Sequence, residues 1–259
     1  MSPAASWQAH VAAFVVRRRV RPALADMRNI AAVRQAFGGT ALPVAKGVRY
    51  TPATLGGVAG EWVEAEDTST TPATPATTLL NLHGGGFVGC SPQTHRPLTA
   101  ALALQGLRVF VPDYRLAPEH PFPAAPLDVL AVYRALRATG PAGRLVVAGD
   151  SAGGNLALGL LLTLRDAGEP LPDAAALFSP ALDLTGASPS ATLNARRDAM
   201  FDPAQLPHLG AAYLAGADAT QPLASPLLGK HGRPAAAAAA CGRGRGAARR
   251  FDPPGAKGP

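Results

Sequence analysis

The chain has 259 residues with 47% hydrophobic side chains, long enough for one α/β domain with a sizeable core and too apolar for a disordered segment. Its two cysteines, Cys90 and Cys241, are too few for a disulfide framework. The net charge of +7 is gathered at one end: residues 230–259 hold seven basic side chains and one acid, so the first 229 residues are near neutral and a nucleic-acid partner is not expected.

The apolar run Val11 to Val16 precedes Arg17, Arg18 and Arg19. A signal peptide places its charges first, and no stretch approaches the roughly 20 apolar residues of a membrane span. A cytoplasmic protein is expected. Residues 6–37 read as two helices, the first carrying Trp7, Val11, Phe14 and Val15 at helical spacing, the second covering Ala23 to Phe37 before Gly38 and Gly39. An ordinary packing pair is the plain reading; a cover for a pocket is the functional one. Val48 to Tyr50 and Glu61 to Glu64 read as antiparallel strands joined by a Gly-rich turn, and Asp67 to Thr78 as an exposed Thr/Pro loop.

Thr78 to Leu82 is a buried strand running into His83-Gly84-Gly85-Gly86. Consecutive glycines let bare N–H groups approach a ligand oxygen, which an oxyanion hole requires. A helix over Thr94 to Gln105 and a strand over Leu107 to Val111 come next. Asp113 to Ala125, with three prolines, reads as a fixed loop in which Arg115 and Glu119 pair as a brace; His120 is the nearest rival for a catalytic base. A helix over Leu127 to Ala138 precedes Arg144 to Ala148, a strand ending in Gly149-Asp150-Ser151-Ala152-Gly153-Gly154, and the apolar run from Asn155 to Leu164 reads as the next helix. Strand, Gly-flanked turn and helix form the context of a nucleophile elbow: Gly149 and Gly153 permit the sharp bend, and Ser151 stands at a helix N-terminus, where negative charge is favoured. The motif alone is weak, and a turn without chemistry is its alternative. Asp173 to Phe178 reads as another strand and Pro203 to Leu214 as a helix.

His83 to Gly86, Asp113 to Ala125, Gly149 to Gly154 and the Ser225-Pro226-Leu227-Leu228-Gly229 run together resemble the hormone-sensitive-lipase-like carboxylesterases of the α/β-hydrolases. The resemblance covers about residues 40–229. It implies a mostly parallel sheet with helices on both faces and a helical cap formed by residues 1–40 and about 185–220. It further implies Ser151 as nucleophile and the N–H groups of Gly84, Gly85 and Ala152 as oxyanion hole, with His83, Gly86, Gly149, Asp150 and Gly153 as supporting positions. The implied reaction is hydrolysis of short- to medium-chain esters through an acyl-enzyme, with no metal and no cofactor. A lactone is the alternative substrate, a non-catalytic small-ligand binder the alternative role, and a homodimer is compatible with the family.

One departure stands out. The fold orders its triad Ser, acid, His, and neither acid nor base motif is visible after Gly229. His231 and Asp252 are poor candidates in a stretch of Ala, Gly, Arg and Pro. Alanine codons are GCN and arginine codons mostly CGN. Dropping one base lets residues 240–251 spell His-Val-Gly-Gly-Asp-Glu-Val-Leu-Leu-Asp-Asp, the strand and acid turn of the family. Residues from about 230 are therefore expected to be a frameshifted tail, with a genuine divergent basic tail as the alternative; the C-terminal strands and helices are then missing, a sheet edge is left unpaired and activity is impaired.

Overall fold

The computed structural model describes residues 6–38, 45–66, 77–140, 143–230 and 237–240. The expected exposed loop over Asp67 to Thr78 lies largely outside them, as do Gly39, His231, Asp252 and residues 241–259.

β1 (Val48–Leu55) and β2 (Val58–Ala65) pair antiparallel through a tight turn at Gly56 and Gly57, both with φ > 0. β2 pairs antiparallel with β4 (Arg108–Pro112); from there β3 (Thr78–Leu82), β5 (Leu145–Asp150) and β6 (Ala174–Phe178) run parallel, giving the order β1-β2-β4-β3-β5-β6-β7. Alternation sorts the strand residues onto two faces. Leu79, Val109, Val111 and Ala148 face one core with Ala100 and Ala103 of α4 (Arg96–Ala103). Leu80, Leu82, Phe110 and Val147 face the other, against α5 (Ala124–Ala138) and α6 (Ala152–Asp166). Helices thus cover both faces, as parallel strands demand.

β7 (Ala237–Ala240) adds parallel to β6, from Ala175↔Ala237 to Phe178↔Ala240. The β6 edge expected to be bare is therefore covered over those residues. Alanine is a poor strand former, so composition gave no strand signal there; backbone pairing alone makes this one.

At the N-terminus, α1 (Trp7–Val15) runs through a π-helical stretch, Val16–Val20, into the short α2 (Arg21–Ala23). The second helix is shorter than expected: α3 spans Ile30–Gly38. Residues 24–29 leave the helix because Leu24 and Met27 turn inward to full burial, and the Asn29 side chain accepts the Ala32 N–H as a cap. The segment is tied to the far end of the chain. Arg21 Nη1 donates to Asp198 O (2.9 Å) and Met27 N–H to Gln205 Oε1 (3.3 Å). Past β6 come α7 (Pro189–Leu193) and α8 (Leu206–Leu214), and Tyr213 of α8 stacks on Phe87 with ring centroids 3.8 Å apart.

The loop from Asp113 to Ala125 is irregular, as expected, but its brace differs. Arg115 forks onto Asp128 of α5 (2.7 Å), and Glu119 pairs with Arg34 of α3 (2.8 Å) rather than with Arg115. The Asp128 carboxylate also accepts the Arg115 N–H (2.9 Å), so the nearly buried acid takes up both backbone and side chain.

Candidate active site

Parallel pairing of β3 with β5 sets Leu82 opposite Gly149. The two strands therefore end side by side, and their continuations share one edge of the sheet: His83-Gly84-Gly85-Gly86 after β3, Asp150-Ser151-Ala152 after β5. Ligand sites of open parallel sheets form beyond the carboxyl ends of the strands.

Ser151 has φ 51° and ψ −113°, a conformation that a side chain adopts only under surrounding constraint. The constraint is visible. The Ser151 N–H donates to Phe178 O (3.0 Å), and its carbonyl accepts from Ala181 (2.9 Å) and Asn155 (3.1 Å). The glycines make room. A Cβ on Gly149 would sit 2.4 Å from Gly153 O, and one on Gly153 would sit 1.9 Å from Leu82 O and 2.6 Å from His83 O. The elbow and the His-Gly-Gly-Gly loop are thus in backbone contact. Ser151 is half-buried, and among the described residues no side chain hydrogen-bonds its Oγ.

The Gly-rich loop is held from several sides. Gly85 (φ 115°) closes a turn in which its carbonyl accepts from Val88 and Gly89. Leu209 of α8 packs over Gly86, 2.9 Å from where a Cβ would stand. His83 is fully buried and stacks on Tyr114 at 4.2 Å; the Tyr114 hydroxyl donates to His83 O (2.7 Å), and His83 Nδ1 lies 2.8 Å from Gly84 O. Burial holds this imidazole down at a pKa of about 4, so it is neutral and its Nδ1–H serves the loop. Its Nε2 is buried without a partner among the described residues.

The Gly84 amide is engaged in this structure. It donates to Asp150 Oδ1 (3.0 Å), so that of the three expected oxyanion donors only the amides of Gly85 and Ala152 are without a protein acceptor among the described residues. Asp150 is also met by His95, whose Nε2 is 3.1 Å from Oδ1 and whose Nδ1 is 3.0 Å from Thr94 Oγ1. Sequence reasoning missed His95: it stands at a helix start, far along the chain from Asp150, and no spacing rule links the two. His120, the expected rival for a base, is exposed on its loop. Cys90 stands at the same loop with φ 66°, its thiol pushed up to about 11 by burial. Among the described residues no cluster of His, Cys, Asp and Glu fits a metal ion.

A family model described as the α/β hydrolase fold matches residues 79–243. An acetyl-hydrolase of Streptomyces hygroscopicus is 44% identical over 198 residues, which are 76% of this chain and 62% of that protein. An esterase of Acinetobacter venetianus is 39% identical over 60% of this chain and 50% of its own length. The chain therefore spans between half and two thirds of these relatives. Among solved structures, EstE5 superposes with a TM-score of 0.77 at 35% identity, covering 87% of this chain and 75% of that one. An esterase of the bacterial hormone-sensitive lipase family gives 0.73 at 36% identity, covering 87% and 74%.

Proposed function

Because the chain belongs to the α/β hydrolase fold family, among its hormone-sensitive-lipase-like esterases, we propose that it is built as a serine carboxylic ester hydrolase for small acyl esters. The observation that carries this is the backbone contact of the Ser151 elbow with Leu82 and His83, which brings a strained serine beside the His83–Gly86 loop, where the Gly85 amide has no acceptor among the described residues.

The proposed steps rest on that placement. Ser151 Oγ bonds to the ester carbonyl carbon, the carbonyl π pair moves to oxygen, and the oxyanion is received by the N–H groups of Gly85 and Ala152. Gly84 adds a third donor only when Asp150 releases it. Collapse re-forms the carbonyl and expels the alcohol, which takes up the proton that Ser151 lost. Water then adds to the acyl carbon, the bond from that carbon to Ser151 Oγ breaks, and a water proton returns to Oγ as the carboxylic acid leaves. The segments 6–38 and 185–220, which meet over Gly86 to Gly89, form the cap and bound the acyl pocket. The place of action is the cytoplasm.

The weakness of the site is proton transfer. Among the described residues no side chain hydrogen-bonds Ser151 Oγ, so none of them is placed to take its proton, and removal of a triad member leaves only the contribution of binding and the oxyanion hole. Turnover of p-nitrophenyl butyrate is therefore expected to fall far below that of an intact esterase, with slow fluorophosphonate labelling at Ser151 that Ser151→Ala abolishes. Full esterase rates would refute the impairment. Tight ligand binding with no label on Ser151 would favour the binding-module reading, which the unpartnered hydroxyl also supports. The frameshift is tested directly: the coding DNA past codon 229 must spell the strand and acid turn in the alternative frame.

A further inference from the structure

α1 is an exposed apolar helix. None of its residues is buried, and Trp7 (71% exposed), Val11 (52%), Phe14 (62%) and Val15 (49%) stand at i, i+4, i+7 and i+8, one face of the helix. A soluble surface scatters such residues singly; a contiguous set marks a docking face. Directly beyond it the same helical rod presents Arg17, Arg18 and Arg19, all exposed and none with a carboxylate partner among the described residues. The Arg18 guanidinium lies 5.4 Å from the Phe14 ring centroid, so the basic and aromatic elements are contiguous.

We propose that α1 with Arg17–Arg19 is a peripheral docking face for an anionic phospholipid surface, Trp7 and Phe14 entering the headgroup boundary and the arginines binding lipid phosphates. Charge decides between the occupants. The segment from Trp7 to Val20 contains no acidic residue, so two copies packed face to face would bury arginines without counter-ions. The tail of this chain, residues 230–259, is itself strongly basic and is repelled. A phosphate-bearing surface supplies a partner for every guanidinium and an apolar boundary for the rings. The helix lies on such a surface rather than through it, since no described helix is long and apolar enough to cross a membrane. Anchoring is already built: Arg21 fastens the base of the rod to Asp198 O, and Arg34 of α3 fastens the same segment to Val88 O (2.7 Å) beside the Gly-rich loop.

The inference stands or falls independently of ester turnover. The full chain is mixed with vesicles of phosphatidylcholine alone and of equal parts phosphatidylcholine and phosphatidylglycerol, with binding read by sedimentation and tryptophan emission. Binding is expected only to the anionic vesicles, with a blue shift that bromine-labelled lipid quenches and that Trp7→Phe removes. Changing Arg17, Arg18 and Arg19 together to Gln is expected to weaken binding about a hundredfold, and Phe14→Ser to weaken it with circular dichroism unchanged. Binding through the basic tail alone would leave Trp7 emission unmoved and the triple variant unaffected, and would overturn the proposal. A Trp7 shift that tracks protein concentration without lipid would also overturn it, in favour of self-association.

Discussion

Asp150 Oδ1 lies 3.0 Å from the Gly84 amide nitrogen and 3.1 Å from His95 Nε2. The residue before Ser151 thus holds the first glycine of the facing loop, and a histidine from the start of a neighbouring helix holds that residue. Removing either end should loosen the loop. Asp150→Ala and His95→Ala are each expected to cost about 1–3 kcal/mol in urea unfolding, the range of a hydrogen bond to a charged group. The double variant should cost clearly less than the sum, because both act through one carboxylate. Additive losses would show that the two contacts are independent.

Gly153 and Gly106 make a controlled pair. A Cβ at Gly153 meets two backbone oxygens of a neighbouring strand end, which no rotamer change can relieve, whereas Gly106 (φ 86°) has nothing within 4 Å. Gly106→Ala is expected to cost about 1–2 kcal/mol, the penalty for a left-handed residue with a side chain. Gly153→Ala should exceed about 3 kcal/mol or prevent folding, as judged by soluble yield and thermal melting. Equal effects would mean that the elbow and the loop are not in contact.

His83 gives a pH signature. Its folded pKa of about 4 is below the ordinary 6.5, so the unfolded chain binds more protons between those values. The stability held by neutral His83 is full above pH 6.5 and is lost as pH falls toward 4, by about 3 kcal/mol over the whole interval. Glu119 works in a different window: the Arg34 guanidinium beside it holds its carboxyl down at about 2, so its contribution is lost only below its ordinary value of 4.5. Urea unfolding from about pH 7 to pH 4.5 separates them, and a flat profile there would contradict the burial of His83.

Two ion pairs made by carboxylates of β2 should behave unequally. Glu61 is buried and forks with Arg96 (2.7 Å), which lies over the Tyr50 ring at 4.4 Å. Arg96→Ala strands a buried carboxylate and is expected to cost about 3–5 kcal/mol. Arg108 pairs with the more exposed Glu64 (2.8 Å) and stacks on Trp62 (3.9 Å). Arg108→Ala should cost about 1–2 kcal/mol, mostly from the lost ring contact. Chemical denaturation of both variants measures the difference.

Read along the chain, the residues mark the strands as far as β6, the bend at Ser151 and the glycine loop, because each is a local matter. A short apolar run bounded by turn signals marks a buried strand such as β3, β5 or β6 whatever it pairs with, and only glycine at 149 and 153 leaves space for the turn. Side-chain partnerships across the fold were beyond the sequence alone. Arg115 choosing Asp128, Glu119 choosing Arg34, His95 reaching Asp150, and four alanines pairing with β6 all depend on which segments the sheet order brings together. Charge and hydrogen-bond partners are selected by distance in space, and no spacing along the chain encodes that distance until the core has closed.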